Sequence, residues 1–129
     1  MQDGVIPRSK LPEVIEQIEA IGKKYNLTIA NVFHAGDGNL HPLILYNYKD
    51  ADEVERTHHA GEEILKVCLS CGGALSGEHG IGLEKLKLMT DLYSENDLEN
   101  MNWVRGCFNP ESLLNPSKAI PTPSRCGES

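Results

Sequence analysis

The sequence predicts an α+β domain, a ferredoxin-like βαββαβ sandwich with an antiparallel sheet, followed by C-terminal helices. Three observations predict it. Apolar residues spaced by three and four mark two long amphipathic helices, over residues 10–25 and 50–70. Two runs rich in β-branched, aromatic and aliphatic residues, at 28–34 and 41–46, flank a turn-rich hexapeptide and form a hairpin between those helices. Short strand signals at Gly4-Val5-Ile6-Pro7 and at 74–76 then complete the split βαβ order.

Taken in turn, the opening strand is ended by Pro7. Ser9 is a candidate N-cap, and Pro12 stands where a first helical turn tolerates it. Leu11, Val14, Ile15, Ile18, Ile21 and Tyr25 form the apolar face of the first helix. In the hairpin loop 35–40, Asp37-Gly38 and Gly38-Asn39 are strong turn dipeptides. Val54, Gly61, Ile64, Leu65 and Cys68 share one face of the second helix, which Gly72-Gly73 stops. After the loop Gly77-Glu78-His79-Gly80, the apolar run 81–89 predicts a helix. Ser94-x-x-Asp97 is a capping-box pattern ahead of Leu98, Met101, Val104 and Phe108, the final helix. Trp103 and Tyr93 are expected in a core or an interface. From Asn109 prolines dominate, which predicts an irregular tail, frayed after Pro121.

At 129 residues and 14.2 kDa the chain suits one domain, and its 40% hydrophobic content suffices for a core. Twelve Lys and Arg against 19 Asp and Glu leave a net charge of −7, which disfavours nucleic acid as a partner. No apolar stretch approaches the ~18 residues of a membrane span, and Met1-Gln2-Asp3-Gly4 does not open a secretory signal, so the expected compartment is cytoplasmic. In that setting Cys68, Cys71, Cys107 and Cys126 are expected as thiols rather than a disulfide framework. A lone Cys68-x-x-Cys71 lacks the second half of a zinc ribbon.

The chemistry-bearing residues cluster in two glycine-bracketed loops. His34 closes one hairpin strand and His41 opens the next, so both imidazoles emerge at one end of neighbouring strands. Two His with one carboxylate is a common ligand set for a divalent metal, and Glu78 is the best carboxylate candidate; the alternative is that the strand-end histidines are hydrogen-bonded structural residues. Asp37 is the alternative ligand, or else a turn-forming carboxylate of the hairpin loop. His79 follows Glu78 and serves either as an acid/base group or as a capping, packed residue. His58 and His59 lie among mixed charges on a helix and fit a solvated face.

Three ordered motifs carry a resemblance. They are His34-Ala-Gly-Asp-Gly-Asn-Leu-His41, Ser76-Gly-Glu-His-Gly-Ile-Gly82 and Phe108-Asn-Pro-Glu-Ser-Leu-Leu-Asn-Pro116. Together they resemble the C-terminal domain of FAD-linked oxidases, within it the group of glycolate oxidases and D-lactate dehydrogenases. The opening Asp3-Gly-Val-Ile-Pro-Arg-Ser-Lys-Leu-Pro12 fits the same group.

The resemblance implies oxidation of a D-2-hydroxy acid to a 2-oxo acid with FAD. It implies His34, His41 and Glu78 as ligands of a divalent metal (zinc, manganese or iron), and His79 as general base. It places Gly38, Asn39 and Asn115 near the flavin. Where related D-2-hydroxyglutarate dehydrogenases carry a substrate-touching Asn, this sequence has Leu43, which points to a smaller substrate such as glycolate or lactate. No Gly-rich phosphate loop of an FAD-binding domain is recognisable. The chain therefore reads as the C-terminal part of a longer enzyme, inactive alone, its partners a small 2-hydroxy acid and a flavin-binding domain or subunit. Loss of that cover predicts self-association. The competing readings are a stand-alone binding or assembly module without chemistry and, more weakly, a small metallohydrolase.

Overall fold

The computed structural model describes residues 1–121. The chain divides into two compact units, Met1–His79 and Gly80–Ser129.

The first unit is α+β. Strand β1 (Gly4–Val5) leads through a short 3₁₀ turn at Arg8–Lys10 into helix α1 (Leu11–Tyr25). The hairpin of β2 (Thr28–His34) and β3 (Asn39–Leu45) follows, then the long helix α2 (Ala51–Ser70). The sheet is antiparallel in the order β1-β3-β2, so β3 is central. β2 ends where its sequence predicts, whereas β3 starts at Asn39, two residues earlier, because His34 and Asn39 already pair. Ser9 does not cap α1; it lies in the 3₁₀ turn, and Lys10 occupies the N-cap without a side-chain bond. The predicted strand at 74–76 is reduced to a single bridge, Val5 with Ala74.

One face of this sheet meets the helices. Strand alternation puts Leu40 and Ile44 of β3 on that face with Ile29 of β2, against Val14, Ile18 and Ile21 of α1 and Ala60, Ile64 and Cys68 of α2. Each fully buried Ile contributes about 2–3 kcal/mol of transfer free energy. Polar contacts fix how α1 and α2 pair. Arg56 donates to the carbonyls of Tyr25 and Asn26 at 2.6 and 3.2 Å, satisfying the open C-terminus of α1. Glu63 accepts from Lys24 at 2.6 Å and from Tyr25 at 2.9 Å, and the Lys24 bond, more than any other contact, holds its carboxyl below the usual range. Asp50 caps α2, accepting from the amides of Asp52 and Glu53. His58 and His59 are exposed on α2, as their charged neighbours suggest.

The second unit is helical and irregular. The apolar run 81–89 does not form one helix. Gly80 and Gly82 take φ of 79° and 57°, which breaks regular helix there, and only a 3₁₀ turn at Leu86–Leu88 and the short α3 (Met89–Leu92) result. Helix α4 (Glu95–Phe108) starts from the predicted capping box of Ser94 and Asp97. Its apolar periodicity does not translate into burial. Leu98 is buried, but Val104 and Phe108 are exposed, and Trp103, expected in a core or interface, is 75% exposed. The tail from Asn109 is irregular up to Pro121, with Arg105 donating to the carbonyls of Leu114, Asn115 and Lys118. Cys68 is buried, Cys71 half-buried and Cys107 exposed, all as thiols; Cys126 and the predicted fraying lie outside the described residues.

Among the described residues, no helix is long and apolar enough to cross a membrane.

Candidate metal and acid–base site

The sheet face opposite the helices carries the candidate residues. Paired residues of an antiparallel ladder point to the same side, so His34, its partner Asn39 and, two residues on, His41 share this face. His34 and His41 are therefore diagonal neighbours, their rings 5.3 Å apart and edge to face. Sequence position separates their environments. His34 ends edge strand β2 and its side chain is 57% exposed; His41 lies in central strand β3 and is 7% exposed.

The Ser76–His79 segment adds the remaining groups from the β1 side, where the Val5–Ala74 bridge delivers it. Gly77 permits the approach, since a Cβ there would come within 2.6 Å of the Asn39 side chain. One oxygen becomes the focus. Glu78 Oε1 lies 3.0 Å from His41 Nε2, 3.7 Å from His79 Nε2 and 3.8 Å from His34 Nε2. The His79 ring stacks on His41 at 5.0 Å and 18°.

His41 decides what this arrangement suits. Both its ring nitrogens are buried and make no hydrogen bond; the 3.0 Å approach of Glu78 lies off the direction a ring N–H requires. An unpaired buried imidazole costs free energy that a bound cation would recover through the lone pair. The spacing agrees. Two ligands at ~2.0–2.1 Å from a tetrahedral ion stand about 3.4 Å apart, and the His41–Glu78 and His34–Glu78 distances of 3.0 and 3.8 Å bracket that value.

Among the described residues, two triads have donor atoms within 4.8 Å of one another, His34/His41/Glu78 and Asp3/His41/His79. Chemistry separates them. Both Asp3 oxygens already accept bonds from the Ser76 hydroxyl and the amides of Gly77, Glu78 and His79, so Asp3 has little left to offer an ion. The first triad is the set of residues that fits.

Asp37 is exposed in the loop and belongs to neither triad. Gly38 and Asn39 are buried; Gly38 is held by a 2.9 Å bond from the Ile6 amide to its carbonyl. Asn115 lies in the second unit with a left-handed φ of 45°. Sequence reasoning gives Asp3 no role beyond its place in the opening motif. The one available signal is a charged residue directly ahead of an apolar strand, where no turn calls for it.

A carboxylate ringed by three imidazoles on an open sheet face defines a donor set of the acid–base or metal-assisted class. Residues 1–119 match the family described as FAD linked oxidases, C-terminal domain, and the chain belongs to that family. It is 47% identical to the glycolate oxidase subunit GlcD of Escherichia coli K12 over 98% of its length, and 33% identical to that of Bacillus subtilis over 97%. It is 36% identical over 92% of its length to a probable mitochondrial D-lactate dehydrogenase of Danio rerio. The chain spans about a quarter of the length of these relatives.

Proposed function

We propose that this chain supplies the cation-holding and acid–base side chains of a flavin-dependent dehydrogenase of glycolate or D-lactate, with FAD bound mainly by another domain or subunit. The observation that carries this is the convergence of three imidazoles on Glu78 Oε1, all within 4 Å. Family membership supports the redox class. The βαββαβ sandwich is part of the same reading, and the Val5–Ala74 bridge supports it by putting the fourth strand's place at the free edge of β1.

His34, His41 and Glu78 would hold the divalent cation. When bound, the cation supplies a Lewis-acidic template for a carboxylate and its 2-hydroxyl, and the flavin supplies the hydride acceptor. His79 takes the hydroxyl proton at Nε2, its ring plane fixed by the stack on His41. Leu43, two residues beyond His41 on the same sheet face, offers no partner to a second substrate carboxylate, which favours a small monocarboxylate. The motif resemblance assigns Gly38 and Asn39 of the first unit, and Asn115 of the second, as flavin neighbours. On this reading the isolated chain turns nothing over.

The test is anaerobic mixing of the flavin-bearing protein that contains this chain with glycolate or D-lactate. His79→Gln should slow flavin bleaching by about 10²–10⁴-fold while leaving divalent-cation affinity nearly unchanged. Bleaching at the wild-type rate would remove His79 from the reaction.

The same reading expects the isolated chain to self-associate. Val32 and Leu45 lie exposed on the open sheet face, apolar surface that a flavin-binding partner would cover. Sedimentation velocity should show concentration-dependent dimers or larger species, and a monomer across a wide concentration range would count against it.

A further inference from the structure

We propose that Asp3 is the positioning residue of this site, its buried carboxylate setting the conformation of the Ser76–His79 loop and so the placement of Glu78 and His79 against His41. The proposal rests on the cation-site reading above for its consequence, though not for its geometry.

The geometry follows from strand register. β1 pairs with β3 at Gly4–Leu40 and Val5–Asn39. Extending that register by one residue sets Asp3 opposite His41, and the 3.0 Å bond from the Gln2 amide to the Pro42 carbonyl confirms that pairing continues past it. Alternation turns Gly4 toward the helices, where a Cβ would come within 2.9 Å of Cys68 Sγ, and turns Asp3 toward the open face. Asp3 is nevertheless wholly buried.

A buried carboxylate persists only when its lone pairs are filled. Here the filling comes from 73–76 residues away. Ser76 Oγ donates to Oδ2 at 2.6 Å, and His79 N donates to it at 3.0 Å. Gly77 N reaches both oxygens at 3.1 and 3.2 Å, and Glu78 N at 3.4 and 3.3 Å. Three successive amides pointing at one anion form a concave nest, an arrangement that extended backbone does not produce. The carboxylate is thus an internal anion around which the loop is wrapped. Side-chain directions at residues 78 and 79 follow from that wrapping, since fixing consecutive amides fixes the intervening φ and ψ. Strand β1 becomes the link between the strand that bears His41 and the loop that bears Glu78 and His79. Substituting Asn leaves shape and volume but aims an NH₂ at amide donors in either orientation, because both carboxylate oxygens are used.

The experiment compares the 129-residue chain with Asp3→Asn by amide hydrogen exchange, followed by NMR, and by titration with Co²⁺ alone, read by its visible absorption. Asp3→Asn is expected to keep its far-UV circular dichroism and to lose at least ~10-fold protection at the amides of Gly77, Glu78 and His79. Its Co²⁺ affinity should fall about 10–100-fold with an altered spectrum, the range typical of lost supporting contacts to metal ligands. Ile64→Val, a core change in α2, controls for general destabilisation; an equal loss of Co²⁺ affinity in that variant would overturn the proposal. Unchanged exchange at residues 77–79 in Asp3→Asn would overturn it as well. So would released amides with wild-type Co²⁺ affinity and spectrum, provided His41→Ala abolishes binding. Wild-type binding in His41→Ala would instead sink the cation reading, and Asp3 would then stand or fall on exchange alone. If Asp3→Asn fails to fold, Ser76→Ala removes one contact and should still speed exchange at residues 77–79 several-fold; no change there would overturn the proposal.

Discussion

Replacing His41 by alanine should weaken binding of Zn²⁺ or Co²⁺ to this chain by at least about 100-fold, more than the loss of any other ligand in the set. The ranking follows from burial and contact. His41 is the only buried member of the triad, its ring nitrogens make no hydrogen bond within the protein, and the rings of His34 and His79 both lie against it. A ligand whose alternative is an unsatisfied buried nitrogen gains most from a cation, and its removal forfeits most. Glu78→Gln should cost less, because an amide oxygen can still coordinate although the charge is gone. His34→Ala should cost least: its imidazole is exposed, water competes for it in the free state, and it stands 3.8 Å from the shared oxygen. Isothermal titration of the three variants gives the order His41, Glu78, His34 directly. The largest loss at His34, or no loss at His41, would show that the cation is held elsewhere.

How much of this is legible in the sequence varies with the range of the interaction. Local rules carry the hairpin and both long helices. Thr28–His34 is a strand with the predicted ends, and Asp50 and Ser94 cap the helices they precede. The two histidines and Glu78 are legible because glycine-rich loops at strand ends are where side chains converge. The unequal burial of His34 and His41 is not, since it depends on which strand is central, and that is set by β1 adding beside β3 rather than by anything in the hairpin itself. The role of Asp3 is not legible for a related reason. The hydroxyl and the three amides that wrap its carboxylate lie in residues 76–79, beyond any periodicity window. The expected helix over 81–89 fails through backbone conformation, at Gly82 inside the run and Gly80 just ahead of it, both with positive φ. Helix α4 shows the opposite limit: periodic apolar spacing predicts a face, but Val104 and Phe108 present theirs to solvent.

Gly38→Ala should destabilise the first unit by about 3 kcal/mol, from two additive sources. Its φ of 73° is left-handed, which costs a residue with a Cβ about 1–2 kcal/mol. The new methyl group would also run into the carbonyl oxygen of Ile6, a backbone atom, and overpacking of that kind costs about 1–3 kcal/mol. The carbonyl cannot simply withdraw. Ile6 also donates its amide to the Gly38 carbonyl at 2.9 Å, so the hairpin loop and the end of β1 are tied at this point. Gly36, two residues away, is the matched control: nothing lies within 4 Å of its Cβ position, and Gly36→Ala should shift stability by less than about 0.5 kcal/mol. Urea denaturation of both variants measures the contrast. A large difference means that close backbone approach is sufficient reason for glycine at position 38, whatever else it faces. Equal stability would mean that the loop repacks around the methyl group, and the requirement for glycine would then have to come from a bound partner, the flavin being the candidate the family suggests.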